Sequence, residues 1–176
     1  MRHITVEPYQ SVWAEQYAAE AAELRNILGE NCIGIHHMGS TSVPGLAAKP
    51  IIDILPVVRD VAAVDAMNPA FAAAGYEALG EYGIPGRRYF RKKEKDGDEE
   101  LFHIHVFGQE SGGEIRRHLA VRDFLRTHPA DAAAYGELKM RLAREFPLDI
   151  EGYCDGKNAF VKDLERRALA WAERER

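Results

Sequence analysis

The feature that most restricts how this chain can fold is a single carboxylate inside an apolar run, Asp53 within Ile51-Ile52-Asp53-Ile54-Leu55. The run continues to Val58 and is short and rich in Ile and Val, the pattern of a buried strand. A buried charge without a partner is expensive, so the fold has to bring a cation, a set of donors or a metal to Asp53. A second short apolar run, Cys32 to Met38, precedes it, and the small-residue loop Gly39-Ser40-Thr41-Ser42 lies between the two. Gly39 has access to backbone angles closed to other residues and leaves room for a ligand beside the main chain. Ser40, Thr41 and Ser42 can cap a helical turn, whose free N–H groups would attract an anion. The unit reads as strand, phosphate-compatible loop, strand carrying an acid. Ahead of the loop, His36 and His37 are adjacent, so a strand sends them to opposite faces and only one can face a site.

The rest of the chain supplies helices and a hairpin. Residues 3–9 alternate briefly, as a strand or an extended arm. Val12 to Leu28 carries apolar residues near helical spacing, with Gly29 as its stop, and Trp13 and Tyr17 on the core side. A helix over Asp60 to Ala74, capped by Asp60, is interrupted by Pro69. Tyr76 to Leu79 is a short strand, and Gly80 to Gly86 a loop. Arg87 to Lys92 and Leu101 to Phe107 form a hairpin across Lys95-Asp96-Gly97-Asp98, since Asp-Gly is a strong hairpin signal. Helices follow over Glu114 to Thr127, Pro129 to Phe146 and Gly156 to Glu173, with a linker over Leu148 to Asp155 before the last. The pattern is that of an α/β (α+β) fold in a single domain spanning 1–176, with a mixed sheet flanked by helices.

The net charge of −5 argues against nucleic acid as the main partner, because phosphate affinity rests on clustered Lys and Arg. No apolar run reaches membrane-spanning length and the start of the chain lacks a signal-peptide pattern, so the expectation is a cytoplasmic protein with no membrane partner. The two cysteines, Cys32 and Cys154, are expected as reduced core thiols. The oligomeric state is not legible.

The string His37-Met38-Gly39-Ser40-Thr41-Ser42-Val43-Pro44-Gly45-Leu46, followed by Ala48-Lys49-Pro50-Ile51-Ile52-Asp53-Ile54, resembles the signature of the GrpB family. The resemblance continues through Gly83 to Phe90, His103-Ile104-His105-Val106 and Arg122 to Arg126, and ends near Tyr153 to Lys157. It implies the nucleotidyltransferase superfamily, with its DNA polymerase beta-like fold, and a site more than a particular reaction. Some relatives are similar to a segment fused to dephospho-coenzyme A kinases, which implies a role in nucleotide or coenzyme metabolism.

Nucleotidyltransferases of this fold use a Gly-Ser turn and then two acids, two residues apart on the next strand. The turn here is Gly39-Ser40 and one acid is Asp53, but the second position is Leu55. Two-metal chemistry wants bridging carboxylates, so this departure matters. His103 and His105 share one face of a strand and could stand beside Asp53 as metal ligands or, for His105, as an acid/base. Magnesium or manganese is the expected divalent ion, and zinc suits the histidines. Arg87 and Arg88 are the basic residues expected to clamp phosphates, with Lys49 as a further contact; Arg91, Lys92 and Lys93 read as a solvated hairpin face. Glu81 is a candidate for the missing carboxylate, and Arg122, Lys139 and Lys157 are outlying cations. Three readings follow: metal-dependent nucleotidyl or phosphoryl transfer to a small molecule, a non-catalytic nucleotide- or coenzyme-binding module, and a transition-metal hydrolase built on His103, His105 and Asp53.

Overall fold

The run around Asp53 forms β2 (Ile52–Val58), and its neighbours complete a five-stranded sheet. The other strands are β1 (Cys32–Met38), β3 (Tyr76–Ala78), β4 (Arg87–Lys93) and β5 (Glu100–Gly108), in the spatial order β1-β2-β5-β4-β3. All pairings are antiparallel except β2 with β5, which is parallel and sets Asp53 opposite His103. The computed structural model describes residues 3–176, which gather into two compact units. The sheet unit comprises Val12–Met38 and Ile51–Ile115; the other comprises residues 3–11, Gly39–Pro50 and Arg116–Arg176. No helix among the described residues is long and apolar enough to cross a membrane.

Alternation along the strands divides the sheet unit into two chemistries. One face carries Ile54, Ile104 and Phe90, all essentially inaccessible to solvent, and is covered by α1 (Val12–Leu28) and α2 (Asn68–Ala73). Phe71 of α2 stacks on Phe90 at 3.9 Å between ring centres, and Leu24 of α1 is fully buried. Each such side chain contributes roughly 1.5–3 kcal/mol when removed from water. His37 lies on this covered face and stacks on Tyr17 of α1 at 4.7 Å, so it is the structural member of the histidine pair. Lys92 also points to this side. It pairs with the buried Glu20 at 2.7 Å and lies over the Tyr76 ring, which corrects its assignment to a solvated face. The opposite face carries Met38, Leu55, Val57 and Phe107 as a buried cluster, with Ile84 and Ile115 against it, and then Asp53, His103, His105 and Tyr89.

The expected helix over Asp60 to Ala74 is shorter and broken. Asp60 Oδ1 accepts from the Ala62 and Ala63 amides, and a 3₁₀ stretch, Ala62–Met67, precedes α2. Pro69 explains the break: it has no N–H to donate and fits only the first turn of a helix, so α2 restarts there.

The second unit holds α3 (Gly112–Thr127) from Arg116 onward, α4 (Pro129–Glu145) and α5 (Ile150–Arg174). Residues 3–9 form an extended arm rather than a strand, joined by a bridge between Glu7 and Ala48 and by the Ile4 amide donating to the Pro147 carbonyl. The expected linker over Leu148 to Asp155 is instead mostly helix. Asp149 caps α5 by accepting from the Gly152 amide at 3.0 Å, so the helix begins six residues before Gly156. The glycines that suggested a linker serve packing: a Cβ on Gly156 would fall 2.4 Å from Leu142 Cδ2 of α4, and one on Gly152 would fall 2.6 Å from Phe146 Cδ1. Tyr153, between them, is completely buried with Leu142 and Ile4. Both cysteines are free, but Cys154 is exposed rather than in the core.

Gly156→Ala is expected to lower stability by about 1–3 kcal/mol, because Leu142 has to leave its rotamer in a filled core. Gly113→Ala, where a Cβ meets nothing within 4 Å, is expected to raise it by about 0.4–1 kcal/mol by restricting the unfolded chain. Urea denaturation of the two variants measures both signs.

Candidate functional site

Asp53 stands on an interior strand with neighbours on both sides, and its carboxylate is met from β5. Because β2 and β5 are parallel and in register there, the His103 and His105 side chains emerge on the same face as Asp53. His105 Nε2 is 3.0 Å from Asp53 Oδ1, and His103 Nδ1 is 3.8 Å from the same oxygen. His103 Nε2 faces Glu100 Oε2 at 2.6 Å, so both of its ring nitrogens look at carboxylates. Glu100 reaches on to Arg91 Nη1 at 3.4 Å, and Arg91 Nε donates to Glu77 at 2.7 Å. Asp53 keeps 28% of its side-chain surface exposed against 13% for His105, so the carboxylate is the accessible end of the cluster.

Arg87 fixes which nitrogen of His105 carries the proton. Its Nη1 lies 3.3 Å from His105 Nδ1, and a guanidinium can only donate. Nδ1 therefore accepts, and the ring proton sits on Nε2, where it is donated to Asp53. The result is a directed chain from Arg87 through His105 to Asp53. Arg87 is itself buried and donates to two main-chain carbonyls, Nε to Glu81 at 3.2 Å and Nη2 to Tyr82 at 2.8 Å, while lying 4.7 Å over the Tyr89 ring. Burial lowers the guanidinium pKa from its ordinary value, and the nearby charge of Glu114 offsets this only in part. Tyr89 is pushed up, first by burial and then by the nearby charges of Asp53 and Glu100, so its hydroxyl keeps its proton.

The loop that feeds Arg87 its carbonyls is held in an unusual shape. Gly80, Gly83 and Gly86 all have positive φ, and so does Tyr82 at +48°. A bulky side chain in that region costs of order 1–2 kcal/mol. Glu81 closes the loop by accepting from the Gly86 amide, which gives this carboxylate a local structural partner. Tyr82 is 58% exposed, and its ring lies parallel to that of Tyr89 at 4.9 Å. Tyr89 in turn meets His105 edge-on at 5.2 Å and His103 at 5.6 Å.

Of the two arginines expected to clamp phosphates, only Arg87 joins this cluster. Arg88 follows Arg87 and so points to the opposite face of the sheet, where it forms a two-pronged pair with Asp65 at 2.7 and 3.2 Å. The Gly39 to Ser42 loop belongs to the second unit. Gly39 has φ +73° and Ser40–Ser42 make one 3₁₀ turn. The Ser42 and Val43 amides donate back to the Gly39 and Ser40 carbonyls, and the Ser42 hydroxyl also donates to Gly39. Thr41 and Ser42 are buried, and Arg126 Nε donates to the Ser42 carbonyl at 2.9 Å. In the same unit Lys49 and Lys157 both lie about 5 Å from the Tyr153 ring centre, at 5.1 and 5.0 Å. Lys139 is buried against the Tyr135 ring at 4.4 Å, and Arg122 pairs with Asp123 at 2.9 Å.

The donor set does not fit a resident metal held by Asp53, His103 and His105. Both nitrogens of His105 are engaged by Arg87 and Asp53, and among the described residues no group of three His, Cys, Asp or Glu side chains is placed to hold an ion. The second acid of the nucleotidyltransferase pattern is also absent in space: Leu55 is completely buried in the cluster with Met38, Val57 and Phe107. A groove of about 630 Å³ opens along the β3–β4 edge, lined by Glu77, Arg91, Lys92, Lys93 and Lys95, but it does not include Asp53 or either histidine. Arg91 and Lys92 are neutralised there by Glu77 and Glu20.

Residues 3–167 match the GrpB protein family over nearly the whole chain. The chain belongs to the GrpB family. It is 42% identical over 170 residues to UPF0157 protein YqkA of Bacillus subtilis, although it spans only 48% of that relative's length. It is 27% identical to a dephospho-CoA kinase of Mycolicibacterium paratuberculosis, of which it covers 47%. Among solved structures it is similar to the conserved protein GrpB from Enterococcus faecalis, at 45% identity and a TM-score of 0.91, covering 96% of this chain and 99% of that one. The Cid1 poly(U) polymerase matches at 10% identity and a TM-score of 0.54, over 78% of this chain and 42% of that one. The GrpB-family chain thus has a nucleotidyltransferase-like fold.

Within this cluster, Glu100, Tyr89 and Tyr82 were not singled out by sequence, and Arg91, read there as part of a solvated face, joins it through Glu100. Glu100 stands three residues before His103, a signal that was available, but a β-bulge between Lys92 and Lys93 is what turns the two together. Two outcomes test the geometry. Leu55→Asp is expected to cost about 3–5 kcal/mol, measured by urea unfolding, because the new carboxylate has no donors in its cluster, whereas Leu55→Met should cost less than about 1.5 kcal/mol. The Arg88 hydrogen bond holds the Asp65 carboxyl below its ordinary value, so Arg88→Gln should raise its NMR titration back into the ordinary carboxylate range. A depressed carboxylate stabilises the fold above its unfolded pKa and loses that contribution as pH falls through the folded one; for a pair this exposed it is under about 1 kcal/mol.

Proposed function

We propose that this chain binds a nucleotide, or a coenzyme built on one, and transfers a nucleotidyl or phosphoryl group from it to a small molecule. The observation that carries this reading is the accessible Asp53 carboxylate, aimed by the hydrogen bond from His105 and backed by Arg87. A magnesium ion that travels with nucleotide phosphates needs only one or two protein carboxylates, the phosphates and water supplying its other ligands. Asp53 suits that part of the substrate. His105 is a positioning residue: its hydrogen bond orients Asp53. In the transfer, an acceptor oxygen bonds to phosphorus while the bond to the bridging oxygen breaks. Pyrophosphate leaves in the nucleotidyl case and a nucleoside diphosphate in the phosphoryl case, and the acceptor's proton passes to solvent. Such reactions depend mainly on positioning and charge neutralisation, which one carboxylate and a buried guanidinium contribute to. The fold likeness to Cid1, whose structure was solved with bound nucleotides, and the similarity to a dephospho-CoA kinase support a nucleotide or coenzyme ligand.

Leu55 favours a second reading, a binding module without chemistry, since the place of a second acid is filled by core. The two separate in a thermal-shift panel of ATP, GTP, CTP, UTP and coenzyme A, each with Mg²⁺, Mn²⁺ or Zn²⁺. A ligand at 100 times its Kd should stabilise the protein by about 2.7 kcal/mol. The transfer reading expects a Mg²⁺- or Mn²⁺-dependent shift that Asp53→Asn abolishes, with release of pyrophosphate or diphosphate nucleotide when acceptors are added. A nucleotide shift that ignores metal and survives Asp53→Asn supports the binding module. Stabilisation by Zn²⁺ alone would overturn both.

A further inference from the structure

We infer that Tyr82 is a stacking platform for the planar ring of the nucleotide, an assignment that rests on the function just proposed. Three observations meet at this residue. It is an aromatic ring left 58% exposed, where a polar residue would have served a surface loop. Its backbone sits at φ +48°, a conformation that Gly or Asn adopts more readily, yet the position holds a bulky side chain. And the ring is not loose: one face lies parallel to Tyr89, with 6° between the planes, while the carbonyl accepts from the buried Arg87.

One ring face is therefore covered and the other is presented to solvent in a fixed plane. Fixing an aromatic face in advance removes the ordering penalty that a mobile side chain would incur on binding. The location is specific as well. Tyr89 joins Tyr82 to the rings of His105 and His103, so the platform stands two ring contacts from the Asp53 carboxylate. A base on Tyr82 and phosphates toward Asp53 place the two ends of one nucleotide on two different chemistries. Every base offers a π-face, so the platform selects for a planar ring rather than for one base.

The experiment is calorimetric titration of the wild-type chain, Tyr82→Gly, Tyr82→Asn and Tyr82→Phe with Mg²⁺-ATP and, separately, with Mg²⁺-tripolyphosphate. Gly and Asn both tolerate positive φ, so these variants remove the ring without forcing the loop to refold, and circular dichroism checks that they stay folded. The expected result is ATP affinity lowered about tenfold or more in Tyr82→Gly and Tyr82→Asn, retained in Tyr82→Phe, with tripolyphosphate binding unchanged throughout. Unchanged ATP affinity in the Gly and Asn variants would overturn the platform while leaving the proposed function standing. An equal loss for ATP and tripolyphosphate would also overturn it, since Tyr82 would then act only by holding Arg87. If the wild-type chain binds no nucleotide in the thermal-shift panel, the function itself falls first.

Discussion

The parallel pairing of β2 with β5 is the contact on which the rest of the site depends. It places His103 beside Asp53 in register and, through the two-residue repeat of a strand, His105 beyond it on the same face. A carboxylate on an interior strand would be costly without donors, and this pairing brings an imidazole N–H to it at 3.0 Å. The antiparallel neighbour β4 then adds Tyr89 opposite His105 and Arg87 opposite Phe107, so three adjacent strands contribute to one line of polar contacts. None of these side chains lies on a flexible tip; each is anchored by a ladder of backbone hydrogen bonds, which gives the orientation that a binding or transfer site requires.

The same face is divided sharply between polar and apolar groups. Two residues along β2 from Asp53, Leu55 is sealed with Met38, Val57 and Phe107, and Ile84 and Ile115 cover them. On β2 this face therefore carries one carboxylate, Asp53, and the place two residues on is filled by core. In the proposed reading, a divalent ion draws most of its ligands from a phosphate-bearing substrate. Arg87 matters for the same reason. It is buried, its direct partners are carbonyls and a ring nitrogen, and its charge remains a local source of positive potential beside the carboxylate cluster.

In the second unit the governing constraint is close approach. Gly152 and Gly156 lie where side chains would collide with Phe146 and Leu142, so α4 and α5 meet through a helix that contains its own glycines. That use of glycine runs against its low helix propensity, which amounts to about 1 kcal/mol per residue relative to Ala. Packing of Tyr153 and Leu142 offsets the penalty locally.

Much of this was legible from the chain alone. The strand around Asp53, the shared face of His103 and His105, and the Asp-Gly hairpin are periodicity and turn chemistry, which are local properties. So was the absence of a second acid at Leu55, and the string around Gly39 already resembled the GrpB family. What local pattern could not supply was the partner of each side chain. Only the sheet order decided that Arg87 faces His105 while its neighbour Arg88 turns to Asp65, that Glu100 meets His103 across a bulge, and that Lys92 goes under α1 to Glu20. Only packing decided that two glycines belong inside a helix. The sequence by itself determined which residues alternate, cap and turn, because those follow from covalent geometry over a few residues. The tertiary structure decided which charges meet, because that depends on strand order and on contacts between residues far apart in the chain.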